Sequence, residues 1–132
     1  MFAPLLAMVV LTFAVMIHVF VCRVRSVRTG AVRMSYFRVM KGEAPEQIEA
    51  TARHFANLFE MPILFYVVAV LILALGSETP LLVALAWGFV AARVVHSVIH
   101  LTYNNVRHRL AAFAVANLFL LLMWILVAVK ML

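Results

Sequence analysis

Charged residues are scarce in this chain. Asp, Glu, Lys and Arg make up 12% of its 132 residues, while 67% are hydrophobic. A soluble domain is about half apolar and one quarter charged, so the composition excludes an ordinary soluble protein. The length allows about four membrane spans of ~20 residues with short loops. We therefore expect one membrane domain over residues 1–132 and no soluble domain.

Cysteine is nearly absent as well, because Cys22 is the only one. An intrachain disulfide is therefore excluded. Low-complexity segments and internal repeats are also lacking, which excludes a repeat array. The net charge is +6, but most basic residues lie in one loop between apolar runs, where membrane topology explains them. We expect membrane lipid as a partner and no nucleic acid.

Four apolar runs predict four transmembrane helices, at about residues 2–22, 49–75, 80–103 and 110–130. No basic residue precedes the first run and no small-residue cleavage site follows it, so we expect it to be retained. The connections are too short for anything but antiparallel neighbours. The predicted fold is therefore an all-α integral membrane protein, an up-down four-helix transmembrane bundle.

Glycine and proline mark the helix ends. Gly30 predicts a break in the first loop, and Pro45 fits the first position of the second helix. Gly76 fits the position just after that helix, and Thr79 fits the N-cap of the third. Pro62 removes one backbone hydrogen bond, which predicts a kink in the second helix.

Basic residues predict the orientation. The first loop carries Arg23, Arg25, Arg28, Arg33, Arg38 and Lys41, the third carries Arg107 and Arg109, and the second carries none. The positive-inside rule then puts loops one and three on the cytoplasmic side and both termini on the non-cytoplasmic side, most simply of a cell inner membrane. The first loop either touches anionic lipid or reaches over a site mouth to hold an anionic ligand.

Three polar residues, Arg53, Asn57 and Glu60, interrupt the second run. Their spacing of i, i+4 and i+7 predicts one helical face, with Pro62 just beyond it. A strongly polar group in hydrocarbon costs several kcal/mol unless it meets a partner or water. We therefore expect this helical face to contact protein, ligand or water and to point away from lipid.

A second polar stripe follows on the third run: Arg93, His96, His100, Tyr103 and Arg107. Spacings of 3, 4, 3 and 4 predict that all five share one helical face and start from the same membrane side as the first stripe. A carboxylate and several cations at similar depth form either an ion-pair network that only fixes helix pairing or a site for a small zwitterionic or anionic molecule.

At these stripes the sequence resembles the MAPEG family, the membrane-associated proteins in eicosanoid and glutathione metabolism. The family's second helix carries an arginine, an asparagine four residues on, a glutamate three further and a proline just after. The residues that match are Arg53, Asn57, Glu60 and Pro62.

The family's third helix carries two arginines with tyrosines between them. Arg93 and Arg107 fit the arginines, while His96 and His100 stand where tyrosines are expected. The chain therefore looks like a divergent, bacterial-type member of the family.

This resemblance implies a homotrimer that binds glutathione at a cytoplasm-facing subunit interface. It implies glutathione transferase or peroxidase activity on lipophilic small molecules, with glutathione as co-substrate. It implies that Arg107 is the catalytic residue, which stabilises the glutathione thiolate. The glutathione-binding residues that it implies are Arg53, Asn57, Glu60, Arg93, His96, His100 and Tyr103.

Two other functions stay open. One is a non-catalytic membrane scaffold or lipid-binding bundle. The other is a haem-binding bundle, with His18 and His100 as ligands on different helices. His96 and His100 are four residues apart and could also chelate a metal ion, but no cysteine or carboxylate completes such a set. We therefore expect no metal.

Overall fold

The structure is a computed structural model, and it describes residues 1–40 and 42–132. The helices are α1 (Phe2–Arg28), α2 (Glu46–Asn57), α3 (Met61–Ala74), α4 (Pro80–Leu101) and α5 (Val106–Met131). A short 3₁₀ helix, Met34–Arg38, lies in the first connection. Lys41, one of the basic residues predicted there, lies outside the described residues.

Four helical segments are long and apolar enough to cross a membrane. Three of them are the single helices α1, α4 and α5, and the fourth is formed by α2 and α3 together. The described residues form no strand. The predicted all-α membrane fold is therefore confirmed. The N-terminal ammonium group of Met1 lies 2.7 Å from the Glu78 carboxylate. The N-terminus and the α3–α4 turn therefore share one end of the bundle, as antiparallel helices require.

A compact set of apolar side chains holds the helices together. Phe65 of α3 and Phe89 of α4 are fully buried, and their rings stack with centroids 4.5 Å apart. Met8 of α1 and Met123 of α5 belong to the same core. Many other large apolar side chains face outward, which fits contact with lipid or with a neighbouring subunit.

Backbone geometry explains the helix ends. Gly30 and Gly76 follow α1 and α3 with φ angles of 71° and 58°, a conformation that glycine adopts at little cost. The Gly76 N–H donates to the Leu73 carbonyl at 3.2 Å. The Thr79 hydroxyl caps α4 by accepting from the Leu82 N–H at 3.2 Å. These predicted stop and start signals are confirmed.

Two helices extend beyond the predicted spans. α1 continues past residue 22 to Arg28, so part of the basic first loop is helical. α5 begins at Val106 because the Asn105 side-chain oxygen accepts from the backbone N–H groups of Arg107 and His108, at 3.0 and 3.2 Å. The predicted polar break between the third and fourth spans is therefore mostly the first turn of α5.

The second predicted helix is interrupted rather than kinked beyond its polar stripe. α2 ends at Asn57 and α3 begins at Met61. Pro62 has no N–H to donate to the carbonyl of Leu58, so the helical ladder lacks a bond at this point. The break falls inside the first stripe, and the prediction that Glu60 lies on one continuous helical face with Arg53 is wrong.

Gly88 provides a test of the packing between α4 and α5. A Cβ atom on Gly88 would lie 2.9 Å from the Phe119 ring of α5. We expect Gly88→Leu to lower the free energy of unfolding in detergent by about 1–3 kcal/mol, because the ring must be displaced. Ala84→Leu, one turn earlier at an exposed position, is the matched control. Equal stability of the two variants would contradict this packing.

Candidate functional site

A pocket of about 350 Å³ lies between α2, α4 and α5, within the usual range for small-molecule sites. Its lining residues are Arg53, Asn57, Glu60, His96, His100, Val106, Arg109, Leu110 and Phe113. Side chains from both predicted stripes therefore meet at one cavity. Residues from α2 and α4 make one wall polar, while residues from α5 make most of the other wall apolar.

Arg53 stands at the outer edge of this pocket. Its guanidinium donates to the Glu49 carboxylate at 3.2 Å, one turn earlier on α2, and the Arg53 side chain is 77% exposed. Exposed ion pairs of this kind contribute at most about 1 kcal/mol. The guanidinium can therefore exchange this partner for an anion in the pocket at little cost.

Arg93 is fully buried and does not line the pocket. Its Nη2 donates to the Asn57 side-chain oxygen at 2.8 Å and to the Asn57 backbone carbonyl at 3.3 Å. The Asn57 amide nitrogen in turn donates to the Glu60 carboxylate at 2.8 Å. Asn57 thus connects a buried cation to a carboxylate at the pocket.

The contact with Arg93 also explains how the break after α2 is tolerated. Carbonyl groups at a helix end have no partner within the helix, and leaving them unpaired inside a membrane costs several kcal/mol. The carbonyls of Phe55 and Ala56 accept from loop N–H groups at 3.1 and 2.9 Å. The Asn57 carbonyl accepts from the Glu60 N–H only at 3.5 Å, and Arg93 gives it a second donor at 3.3 Å. In this structure Arg93 therefore positions Asn57 and Glu60 rather than contacting the cavity.

Three histidines pack together beside the pocket: His54 of α2 with His96 and His100 of α4. All three are buried, and their ring centroids are 4.8–5.6 Å apart. The Arg109 guanidinium lies 3.1 Å from His100 Nε2 and donates to the Asn104 side-chain oxygen at 2.7 Å. Sequence reasoning did not select His54 or Arg109 as site residues.

A sequence signal was available for Arg109 but not for His54. Asn105 is a good N-cap, and starting α5 there moves Arg109 from a loop onto a helix facing α4. His54 neighbours Arg53 in sequence, but only the packing of α2 against α4 brings it to the other histidines.

The predicted five-residue stripe of the third helix ends at His100. α4 terminates at Leu101, so neither Tyr103 nor Arg107 continues its face, and that part of the prediction is wrong. Both side chains are exposed and do not line the pocket. Tyr103 lies 3.1 Å from His108 and borders a second cavity of about 500 Å³, which shares His100 with the first.

Comparison with known proteins gives one family. The model of the MAPEG family matches residues 1–129 of the chain. The match therefore includes all but the last residue of the predicted spans, and every residue of both stripes. No curated protein and no solved structure matches the chain.

The contact between Arg93 and Asn57 can be tested by a double-mutant cycle. Asn57→Leu removes the side-chain acceptor of the buried Arg93 guanidinium and leaves it only the backbone carbonyl of residue 57, so we expect a loss of about 1.5–3 kcal/mol in the free energy of unfolding. Adding Arg93→Leu removes that buried charge and should restore much of the loss. Denaturant or thermal unfolding in detergent measures both. Additive losses in the double variant would show that the two side chains are not coupled.

Proposed function

The chain belongs to the MAPEG family, and on this basis we propose that it binds glutathione in the pocket between α2, α4 and α5. It is an integral membrane protein with four helical segments that can cross a bilayer. The observation that carries the proposal is the charge pattern of the pocket, where two guanidinium groups and one carboxylate line a single cavity. Glutathione carries two carboxylates and one ammonium group, the complementary set.

Each charged group of the ligand has a partner in this proposal. Arg53 and Arg109 bind the two carboxylates, because guanidinium–carboxylate hydrogen bonds are short and strong. Glu60 binds the ammonium group, and Asn57 contributes polar contacts beside it. Arg93 acts through Asn57 and keeps the Glu60 carboxylate oriented.

The thiol end of glutathione would face the apolar wall formed by Val106, Leu110 and Phe113. A lipophilic molecule arriving from the bilayer can approach this wall without crossing water. In a transferase reaction the thiolate sulfur bonds to an electrophilic carbon and displaces its leaving group. In a peroxidase reaction two glutathione molecules reduce a lipid hydroperoxide to an alcohol and water and form a glutathione disulfide.

Arg107 is the proposed catalytic residue, since a nearby cation favours the thiolate over the thiol. Its side chain is exposed and lies outside the pocket of its own chain. Exposure at the start of α5 leaves it free to reach a site shared between subunits. We therefore propose a homotrimer in which Arg107 and Tyr103 act at such an interface.

The proposed site faces the cytoplasm, where glutathione is available. The described basic residues of the first connection support this orientation through the positive-inside rule. The pocket lies at the same end of the bundle as that connection, because α2 follows it directly. Both termini would then lie on the opposite side.

Equilibrium binding of labelled glutathione to the detergent-purified protein tests the proposal. We expect saturable binding that Arg53→Ala and Arg109→Ala each weaken by about 10- to 100-fold, the effect of losing a charged hydrogen bond. Arg33→Ala removes an exposed arginine of the first connection that does not line the pocket. This control should bind like the wild type.

The absence of saturable binding at millimolar glutathione would refute the proposal. It would leave the membrane fold unchanged and favour the non-catalytic scaffold. If Arg33→Ala weakened glutathione binding as much as Arg53→Ala does, the general positive charge of the protein, rather than the pocket, would attract the ligand.

The role of Arg107 has a separate test. We expect Arg107→Ala to lower kcat for conjugation of a lipophilic electrophile by about 10²-fold or more, because thiolate stabilisation acts mainly on the chemical step. The affinity for glutathione should change less than threefold, while the ultraviolet absorbance of the bound thiolate disappears. Arg107→Lys should recover part of kcat and part of the thiolate absorbance. Unchanged kcat in Arg107→Ala would exclude this arginine from catalysis.

A further inference from the structure

We propose that His54, His96 and His100 form a binding site for one divalent transition-metal ion of the zinc type. The nitrogen atoms that these residues offer all lie within 4.8 Å of one another. In a tetrahedral zinc site with Zn–N bonds of 2.0–2.1 Å, ligand nitrogens are roughly 3.3 Å apart. Small rotations of the three side chains would bring the nitrogen atoms to this shorter spacing.

The unpaired nitrogens of the rings support this site. Among the described residues, both ring nitrogens of His54 and the Nδ1 atoms of His96 and His100 are buried without a hydrogen-bond partner. Most buried polar atoms are paired, and each exception costs about 1–3 kcal/mol. Apolar packing alone would leave this cost in place, whereas a metal ion turns one unpaired nitrogen of each ring into a ligand.

The arrangement of the ligands on helices also suits a metal. His96 and His100 are separated by four residues on α4, a spacing that places two imidazoles on one helical face toward the same ion. His54 supplies the third ligand from α2, which packs against α4. The sequence indicated His96 and His100 as a possible metal-binding pair, but no cysteine or carboxylate completed it. His54 supplies the missing third ligand.

The proposed ion would be accessible from the pocket. His96 and His100 both line the 350 Å³ cavity as well as the histidine cluster. Three protein ligands leave the fourth tetrahedral position to a water molecule or an anion, as in zinc sites with an open position. Neutral imidazole ligands favour zinc, copper, nickel and iron over magnesium or calcium.

Arg109 constrains the metal-bound form. Its guanidinium lies against His100 Nε2 and also donates to the Asn104 side-chain oxygen. If His100 binds the ion through Nδ1, its Nε2 carries the proton and Arg109 keeps the Asn104 oxygen as its acceptor. The positive charge of Arg109 opposes a dication, so an anion in the fourth position should tighten metal binding.

The test uses full-length protein without a polyhistidine tag, stripped of metal by a chelator and titrated with Zn²⁺ by calorimetry and with Co²⁺ by visible absorption. No glutathione is present. We expect one ion per chain and a tetrahedral Co²⁺ spectrum. His54→Gln and His96→Gln should each weaken binding by at least the 10- to 100-fold typical of changes around a metal centre. His108→Gln, at an exposed histidine of α5, should bind like the wild type.

A ligand exchange separates coordination from a structural role of the buried ring. His54→Cys keeps a metal ligand at this position, so Co²⁺ should still bind and its spectrum should gain an intense thiolate-to-metal band. Absence of metal binding by the wild type would overturn the proposal. So would a Co²⁺ spectrum that His54→Cys leaves unchanged, or binding that survives His54→Gln and His96→Gln in chains that elute and melt like the wild type.

Metal binding does not depend on the glutathione proposal. Arg53→Ala is expected to lose glutathione affinity but to keep the metal, since Arg53 lies at the outer edge of the pocket and is largely exposed. Loss of glutathione binding with intact metal binding would therefore support both proposals. If the wild-type protein bound the metal but not glutathione, only the glutathione proposal would be refuted.

Discussion

A buried guanidinium bonded to one asparagine underlies the architecture of the site. Arg93 is surrounded by apolar helices, and a charge in such a place is tolerated only when acceptors meet it. Asn57 supplies two acceptors to the Arg93 Nη2: the side-chain oxygen and the backbone carbonyl, which stands at the end of α2 and has only a long 3.5 Å contact with the Glu60 N–H. The helix break, the orientation of Glu60 and the docking of α2 against α4 are therefore parts of a single arrangement.

Local signals predict a large part of the fold. Gly76, Thr79 and Asn105 act through neighbouring residues only, and the first two mark helix ends where the sequence indicates them. Apolar runs of sufficient length identify the membrane segments, because hydrocarbon thickness sets their length. The polar residues of α2 also meet those of the second half of α4, as their spacing predicts, since polar groups within a bilayer need polar partners.

The rest depends on contacts between residues far apart in the chain. At the break before Glu60, Asn57 is bonded to Arg93, which lies 36 residues further along the chain. Helical periodicity does not register such a contact and extends the helix too far. Arg109 enters the pocket because α5 starts earlier than its hydrophobicity indicates. His54 joins His96 and His100 only through tertiary packing, and no pattern within α2 distinguishes it from an ordinary buried histidine.

The shortness of α3 has a consequence for the surrounding lipid. Its 14 residues rise by roughly 21 Å, less than the ~30 Å of a typical hydrocarbon layer. Part of α2 must therefore complete the span that α2 and α3 form together, so the break at residues 58–60 and the pocket beside it lie within the hydrocarbon layer, below the level of the head groups. Water and acyl chains would then meet at the depth of Glu60, so a lipid-dissolved molecule and a charged one could reach the same cavity from opposite phases.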